Sequence, residues 1–182
     1  MSANIQVVAT LHERGGLFGT AGNAIAACTF SIPPTRWSKP VWELSRLVRR
    51  DGERPPLTFL VARAVSECRK RGAHLLVSFA DMTQGHEGIV YRASNWNYDG
   101  MREPRITGLR VNGEYVPGRT ANSVWGTQSP SKLAEQVGAI VEPVFDEGKH
   151  LYWLSLSKTG KQWATELGLK CEQWTPTTEN GK

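Results

Sequence analysis

The sequence predicts an α/β protein of the α+β kind, with a mixed central β-sheet and helices on both faces. Three observations carry this. Leu57, Leu60, Val61, Ala64, Val65 and Cys68 recur at helical spacing and form one apolar stripe. His74–Ala80 follows as a short apolar run bounded by turn signals, the pattern of a strand buried on both faces. A strand-like segment precedes the helix, so strand, helix and strand form a βαβ unit inside a larger sheet.

Taken in order, residues 4–12 read as a strand, Gly15-Gly16 turns the chain, and Ala24–Ile32 is a second strand after the Gly19/Gly22 loop. Pro33-Pro34 breaks it. Val41–Val48 is a third strand, whose partial alternation sets Trp42, Leu44 and Arg46 on one face. Pro55-Pro56 stand at or before the first turn of the helix, where proline is tolerated, and Gly72 stops it. Gly85–Asn95 reads as a short second helix. Arg105–Val116 reads as a hairpin turning at Asn112-Gly113. Pro130–Val137 is a short helix, and Ile140–Phe145 and His150–Leu156 read as paired strands around Asp146-Glu147-Gly148. From Thr175 the chain is polar and expected to fray.

Composition narrows the class. With 40% hydrophobic and 21% charged residues in 182, the chain is globular rather than disordered. No run approaches the roughly 18 apolar residues of a membrane span. Met1–Ile5 has no basic or apolar leader pattern, so no signal peptide is expected. Cys28, Cys68 and Cys171 are widely spaced without a CxxC, which fits reduced thiols in a cytoplasmic protein, with Cys68 a small core residue. The net charge of +5 is uneven: Arg36–Arg71 alone sums to +6. Such concentration points to a polyanion, either nucleic acid or the phosphates of a nucleotide cofactor. Alternatively these are solvated helix residues, with Arg69-Lys70-Arg71 complementing a helix C-terminus.

The chemistry concentrates in Ser78-Phe79-Ala80-Asp81, then Gln84-Gly85-His86-x-Gly88-x-x-Tyr91, then Asn95-Trp96-x-Tyr98-x-Gly100. Groups at the C-terminal end of a buried strand have the usual layout of an α/β active site. Asp81 there is an acid/base candidate or a cap for the following turn. His86 can share its role, orient it or bind a metal, though one histidine with one carboxylate does not indicate a metal site. Ser78 is a small strand residue close enough to Asp81 to take part. Gly85 and Gly88 allow close backbone approach. Arg46, on a mostly apolar strand, needs an anion: Asp81, a cofactor, a DNA phosphate or a structural carboxylate.

The strand–helix–strand–helix run resembles the GNAT acyltransferase fold. The resemblance implies one GNAT-like domain over residues 1–175, with 176–182 a flexible polar tail. It also implies acetyl-CoA or a related CoA thioester as cofactor. Its pyrophosphate loop corresponds to the end of the third strand, Leu47-Val48, and Arg49-Arg50-Asp51-Gly52-Glu53-Arg54, running into Pro55-Pro56-Leu57-Thr58. Of the family's loop pattern, Gly52 and the flanking arginines remain. A helix start with free N–H groups and basic side chains favours phosphate. Thr58 can add its hydroxyl and N–H, or cap the helix. Tyr91-x-x-x-Asn95-Trp96 resembles the GNAT signature in which a tyrosine protonates the departing thiolate. A phenol, neutral with one proton to give, suits that step. The plain alternative is a packed ring.

Glu43-Leu44-Ser45-Arg46-Leu47, followed after the helix by the Ser78–Gly100 pattern, looks like the Mom family of phage DNA-modification proteins. That resemblance covers roughly residues 41–100. It implies conversion of adenine in DNA to its methylcarbamoyl form, an anti-restriction activity in the host cytoplasm. Adenine would have to leave the duplex. Asp81 would accept the amine's hydrogen bond or its proton, Tyr91 would be the acid, and His86, Arg46 and Ser78 would support them. Trp96, Tyr98 and Trp125 are candidates to stack a base, or else to fill the core, and Arg36 and Lys39 to meet phosphates. The N-terminal part has no tyrosine, so an aromatic group from there would be Phe18, Phe30 or Trp37. Two other functions compete: a GNAT N-acetyltransferase acting on a small-molecule or protein amine, and a non-catalytic DNA-binding protein. No membrane partner is expected, and the pattern carries nothing on oligomeric state.

Overall fold

The computed structural model describes residues 4–12, 23–33 and 37–175. The Gly15-Gly16 turn, Phe18, the Gly19/Gly22 loop, Pro34, Arg36 and the tail 176–182 lie outside the described residues. The strands are β1 (Asn4–His12), β2 (Ala24–Ile32), β3 (Val41–Arg49), β4 (Leu75–Asp81), β5 (Asn97–Arg102), β6 (Ile106–Val111), β7 (Glu114–Pro117), β8 (Val141–Phe145) and β9 (Lys149–Ser155). The α-helices are α1 (Leu57–Lys70), α2 (Ile89–Ala93), α3 (Gly118–Trp125), α4 (Pro130–Val137) and α5 (Lys158–Glu166). The fold is mixed, with two sheets among the described residues. They form two compact units. One takes the chain up to Ala80, Glu87–Gly100 and the residues from His150; the other takes Asp81–His86 and Met101–Lys149.

The first unit is built on a sheet of order β1-β2-β3-β4-β9-β5. β1, β2 and β3 are antiparallel neighbours, and β3 runs parallel to β4 through the α1 crossover. Continuous apolarity in β4 is explained by its two buried faces. Leu76 and Ala80 pack with Leu44 of β3 and Leu60, Val61 and Ala64 of α1. Leu75 and Val77 pack with Val41, Leu151, Trp153 and Ala164 of α5. The two helices therefore cover opposite faces of the sheet.

Helix α1 follows its sequence signals. Leu60, Val61, Ala64, Val65 and Cys68 are its buried stripe. At its end Gly72 has φ +84, and the Gly72 N–H donates to Arg69 O (3.1 Å) and Ala73 N–H to Cys68 O (3.0 Å). That Schellman closure needs a left-handed residue, which glycine adopts without strain. Burial raises the Cys28 and Cys68 thiols to about 12, so both are inert core groups.

Strand β3 departs from simple alternation. Thr29 faces Arg46 and Phe30 faces Leu44, so Ser45 is an extra residue, a β-bulge held by Ser45 Oγ against Thr29 Oγ1 (3.2 Å). The bulge reverses the parity of the strand. Trp42, Leu44 and Leu47 pack on the α1 side, while Arg46 is exposed and donates to the adjacent Ser45 O (2.7 Å). The expected face Trp42-Leu44-Arg46 is thus corrected: the arginine leaves it at the bulge and needs no buried anion.

The second unit has a sheet of order β7-β6-β8, with Leu109, Ala121 of α3 and Leu133 of α4 at the centre of its core. The β6–β7 hairpin turns at Asn112 (φ +49) and Gly113 (φ +89), the two positive φ values of a type I′ turn. Here the strand reading is corrected. β8 pairs with β6 in this sheet, whereas β9 lies between β4 and β5 in the other, so the two are not a hairpin. The expected helix Gly85–Asn95 is also shorter. Gly85 (φ +67) closes a preceding 3-10 turn, Met82–Gln84, Gly88 (φ +74) delays the start of α2 to Ile89, and Asn95 (φ +59) follows α2.

Candidate active site

In the first unit the site begins where β3 and β4 part. Their parallel pairing covers Val41↔Leu75, Trp42↔Leu76 and Glu43↔Val77. At the next positions a side chain replaces the ladder. Ser78 Oγ lies 3.0 Å from Leu44 O and 2.8 Å from Tyr91 Oη. A carbonyl only accepts and a serine has one hydrogen. The Ser78 hydrogen therefore goes to Leu44 O when Tyr91 O–H donates to Ser78 Oγ, and all three groups are satisfied. Ser78 is fully buried and Tyr91 is 9% exposed. Burial, above the opposing Ser78 hydrogen bond, raises the Tyr91 phenol, so it stays protonated at neutral pH.

Tyr91 stands in a row of rings. Its centroid is 5.5 Å from Trp96 and 5.1 Å from Tyr152; Tyr152 is 5.2 Å from Tyr98, and Tyr98 is 5.4 Å from His150. These tilted contacts suit aromatic quadrupoles. Gly88 lets α2 approach, because a Cβ there would stand 2.3 Å from the Tyr152 ring. Tyr152 Oη donates to Glu87 O (2.8 Å). Tyr98 Oη meets His150 Nδ1 at 2.7 Å. His150 is 4% exposed, and burial first, then the Arg92 charge, holds it below its ordinary value; it is neutral at pH 7.

Beside this row a cleft of about 410 Å³ opens between α1 and the α2–β5 connection, lined by Thr58, Val61, Val65, Ser94, Asn95 and Trp96 among others. It is small-molecule sized, and its lining is polar and apolar in about equal parts. Ser94 Oγ and Trp96 Nε1 are buried without a hydrogen-bond partner. Thr58 does not cap α1, whose N-cap is Pro56.

The loop expected to hold a pyrophosphate is closed on itself. Arg50 N–H donates to Ile25 O (2.8 Å), and Glu53 N–H to Arg50 O (3.2 Å) across Gly52. Pro55 and Pro56 have no N–H, Leu57 N–H donates to Pro55 O, and Phe59 and Leu60 N–H donate to Pro56 O. Along this segment the N–H groups of Arg50, Glu53, Leu57, Phe59 and Leu60 are spent locally and Pro55 and Pro56 have none, which reduces the donors left for a phosphate.

In the second unit Asp81 caps the 3-10 turn, accepting from Thr83 N–H (3.1 Å), and pairs with Lys149 Nζ at 3.1 Å. Burial pushes its carboxyl up, but hydrogen bonds from Lys149 and Thr83 outweigh this and hold it below the ordinary range. Lys149 also lies 3.8 Å from Asp146, which accepts from Arg105 N–H (2.8 Å) and Gly148 N–H (3.1 Å). His86 is exposed and sends its backbone N–H to Asp81 O (3.1 Å). Trp125 packs half-buried against the core of this unit.

The structure thus joins Ser78, Tyr91, Trp96 and Tyr98 in one arrangement, and Thr58 and Asn95 in the adjoining cleft. Of the basic candidates, Lys39 pairs with Glu166 and Arg50 donates to Ala24 O (2.8 Å). Trp96, 5% exposed, packs in the core. Sequence reasoning missed Tyr152, Arg92, His150 and Lys149. Tyr152 and His150 alternate in β9, so a period-2 reading that asked which polar residues share the buried face would have found them. Among the described residues, no three His, Cys, Asp or Glu are grouped to hold a metal ion. No helix among them is long and apolar enough to cross a membrane.

The family model of the Mom protein family matches residues 17–174. The chain belongs to the Mom protein family. Membership carries DNA adenine modification in a phage setting, with DNA as the substrate of a DNA-modifying enzyme. The match takes in β3, α1, β4, α2 and the Ser78–Gly100 pattern, and extends to the β9 residues that the pattern did not include. A search of curated proteins finds no match.

Proposed function

We propose that this Mom-family chain transfers a carbamoyl-type group, the methylcarbamoyl group of the family resemblance, to the exocyclic amine of adenine in phage DNA, with Tyr91 as the proton donor. One observation carries the reading: a buried, neutral phenol hydrogen-bonded through Ser78 at the point where two parallel strands part. Such partings at strand C-termini are where open α/β sheets take ligands.

In the proposed step the amine nitrogen attacks the carbonyl carbon of an activated donor. The new C–N bond forms as the bond to the leaving group breaks, the Tyr91 O–H delivers its proton to that leaving group, and the proton that the amine nitrogen sheds passes to solvent and restores the phenol. Ser78 then orients the phenol. In the second unit Asp81 is ionised, held so by Lys149 and the Thr83 N–H. We place the donor's apolar part in the cleft lined by Thr58 and Asn95. No step is routed through coenzyme A. We also propose a cytoplasmic location, where phage DNA is modified.

Nucleoside mass spectrometry of DNA from cells expressing the chain tests this. The expected result is a new adenine adduct, lost in Tyr91→Phe while that variant stays folded. Unmodified DNA with an acetylated amine elsewhere would point to N-acetyl transfer instead. Unmodified DNA with only salt-sensitive binding would reduce the chain to a DNA-binding protein.

A further inference from the structure

We propose that Arg92, His150 and Trp174 form a binding site for a phosphate group. All three belong to the first unit. The Arg92 guanidinium lies over the Trp174 ring, its Cζ 3.4 Å from the centroid, and its charge reaches Tyr152 and His150. Stacking on the indole holds the guanidinium in place. Yet its NH1 is buried without a partner, and so are Trp174 Nε1 and His150 Nε2. Among the described residues, no carboxylate lies within ion-pair distance of Arg92.

The chemistry of these atoms selects the ligand. A guanidinium and an indole can only donate. When Tyr98 O–H donates to His150 Nδ1, the neutral imidazole carries its hydrogen on Nε2 and becomes a third donor. Three buried donors without partners, one of them carrying a positive charge, call for an oxygen-rich anion, and a phosphate offers several acceptor oxygens at different angles. The carboxylates whose charge reaches this neighbourhood are Glu87, Asp99 and Glu172. Asp99 accepts from the Lys170 N–H, Glu172 lies 3.5 Å from Lys170 Nζ, and Glu87 is exposed. None of them occupies the Arg92 fork.

The site stands on this geometry. Which molecule brings the phosphate, a DNA strand or a donor that carries phosphate esters, rests on the reaction proposed above. The first test is thermal unfolding of the whole chain in inorganic phosphate against chloride at matched ionic strength. A ligand that binds only the folded form raises the midpoint, so a phosphate-specific rise is expected. It should vanish in Arg92→Gln and persist, weakened, in Arg92→Lys. Absence of the rise in the unaltered chain, or a full rise in Arg92→Gln, overturns the site. Two further arms separate the sources. If DNA supplies the phosphate, Arg92→Gln lowers the slope of log K against log salt by about 1. If a small donor does, the slope holds and binding of coenzyme A, used as a probe, weakens. Both measurements are independent of the adenine adduct, so loss of the reaction and loss of the site are told apart.

Discussion

Ser78 Oγ and Tyr91 Oη stand 2.8 Å apart in the core, and the same serine oxygen reaches Leu44 O on the neighbouring strand. One hydroxyl thus replaces a rung of the β3–β4 ladder and fixes the phenol. Ser78→Ala leaves a buried carbonyl and a buried phenol unpaired, which should cost about 1–3 kcal/mol by chemical denaturation. Tyr91→Phe should cost less in the Ser78→Ala background than alone, a coupling of about 0.5–3 kcal/mol. Additive effects would refute the hydroxyl pair.

Gly88 and Gly85 both hold a left-handed backbone, but only Gly88 sits against a ring. Alanine at either should cost about 1–2 kcal/mol for the conformation. Gly88→Ala should add about 1–3 kcal/mol of overpacking, because Tyr152 is fully buried and cannot move aside. Near-ultraviolet circular dichroism should change in Gly88→Ala alone. Equal losses in the two variants would remove the argument for close approach of α2.

The bulge at Ser45 separates two neighbours that look alike by alternation. Arg46→Ala should leave stability within about 0.5 kcal/mol, since the side chain is exposed. Leu44→Ala should cost about 2–5 kcal/mol. A large loss in Arg46→Ala would restore the buried-anion reading that the structure removes.

Acid stability should show two separate limbs. The folded His150 lies below its ordinary value of 6.5, so under acid the unfolded chain takes a proton that the folded chain refuses. Its contribution is intact above 6.5 and is lost as pH falls from there through the lower folded value. Asp81 also lies below its ordinary value, 3.8, so its contribution persists down to that pH and is lost beneath it. In urea titrations across pH, His150→Gln should flatten the limb just below 6.5, and Asp81→Asn only the limb below 3.8. An unchanged upper limb in His150→Gln would sink the assignment.

Much of the fold was legible because its signals are local. The stripe Leu57–Cys68 is α1, the run ending at Ala80 is β4, and Asn112-Gly113 turns a hairpin. Three elements went unread. β5 contains Asp99 and Gly100, and α3 starts on glycine after Pro117 and buries only Gly118 and Ala121, so its apolar face is short. α5 carried a readable start in Ser157, whose side chain accepts from the Gly160 N–H. At the site, Ser78, Asp81, Tyr91 and Trp96 stood out by motif, whereas His150, Tyr152 and Arg92 acquire meaning only from the rings around them.

Period, turn chemistry and motif are properties of neighbouring residues, so the sequence alone determined which segments become helix or strand and which family the chain belongs to. Partner choice is different. β8 and β9 are separated by three residues yet join different sheets, and one bulged serine turns Arg46 out of the core. Such outcomes depend on the free energy of packing the whole chain, where segments distant in sequence compete for the same edge. Only the tertiary structure decided them.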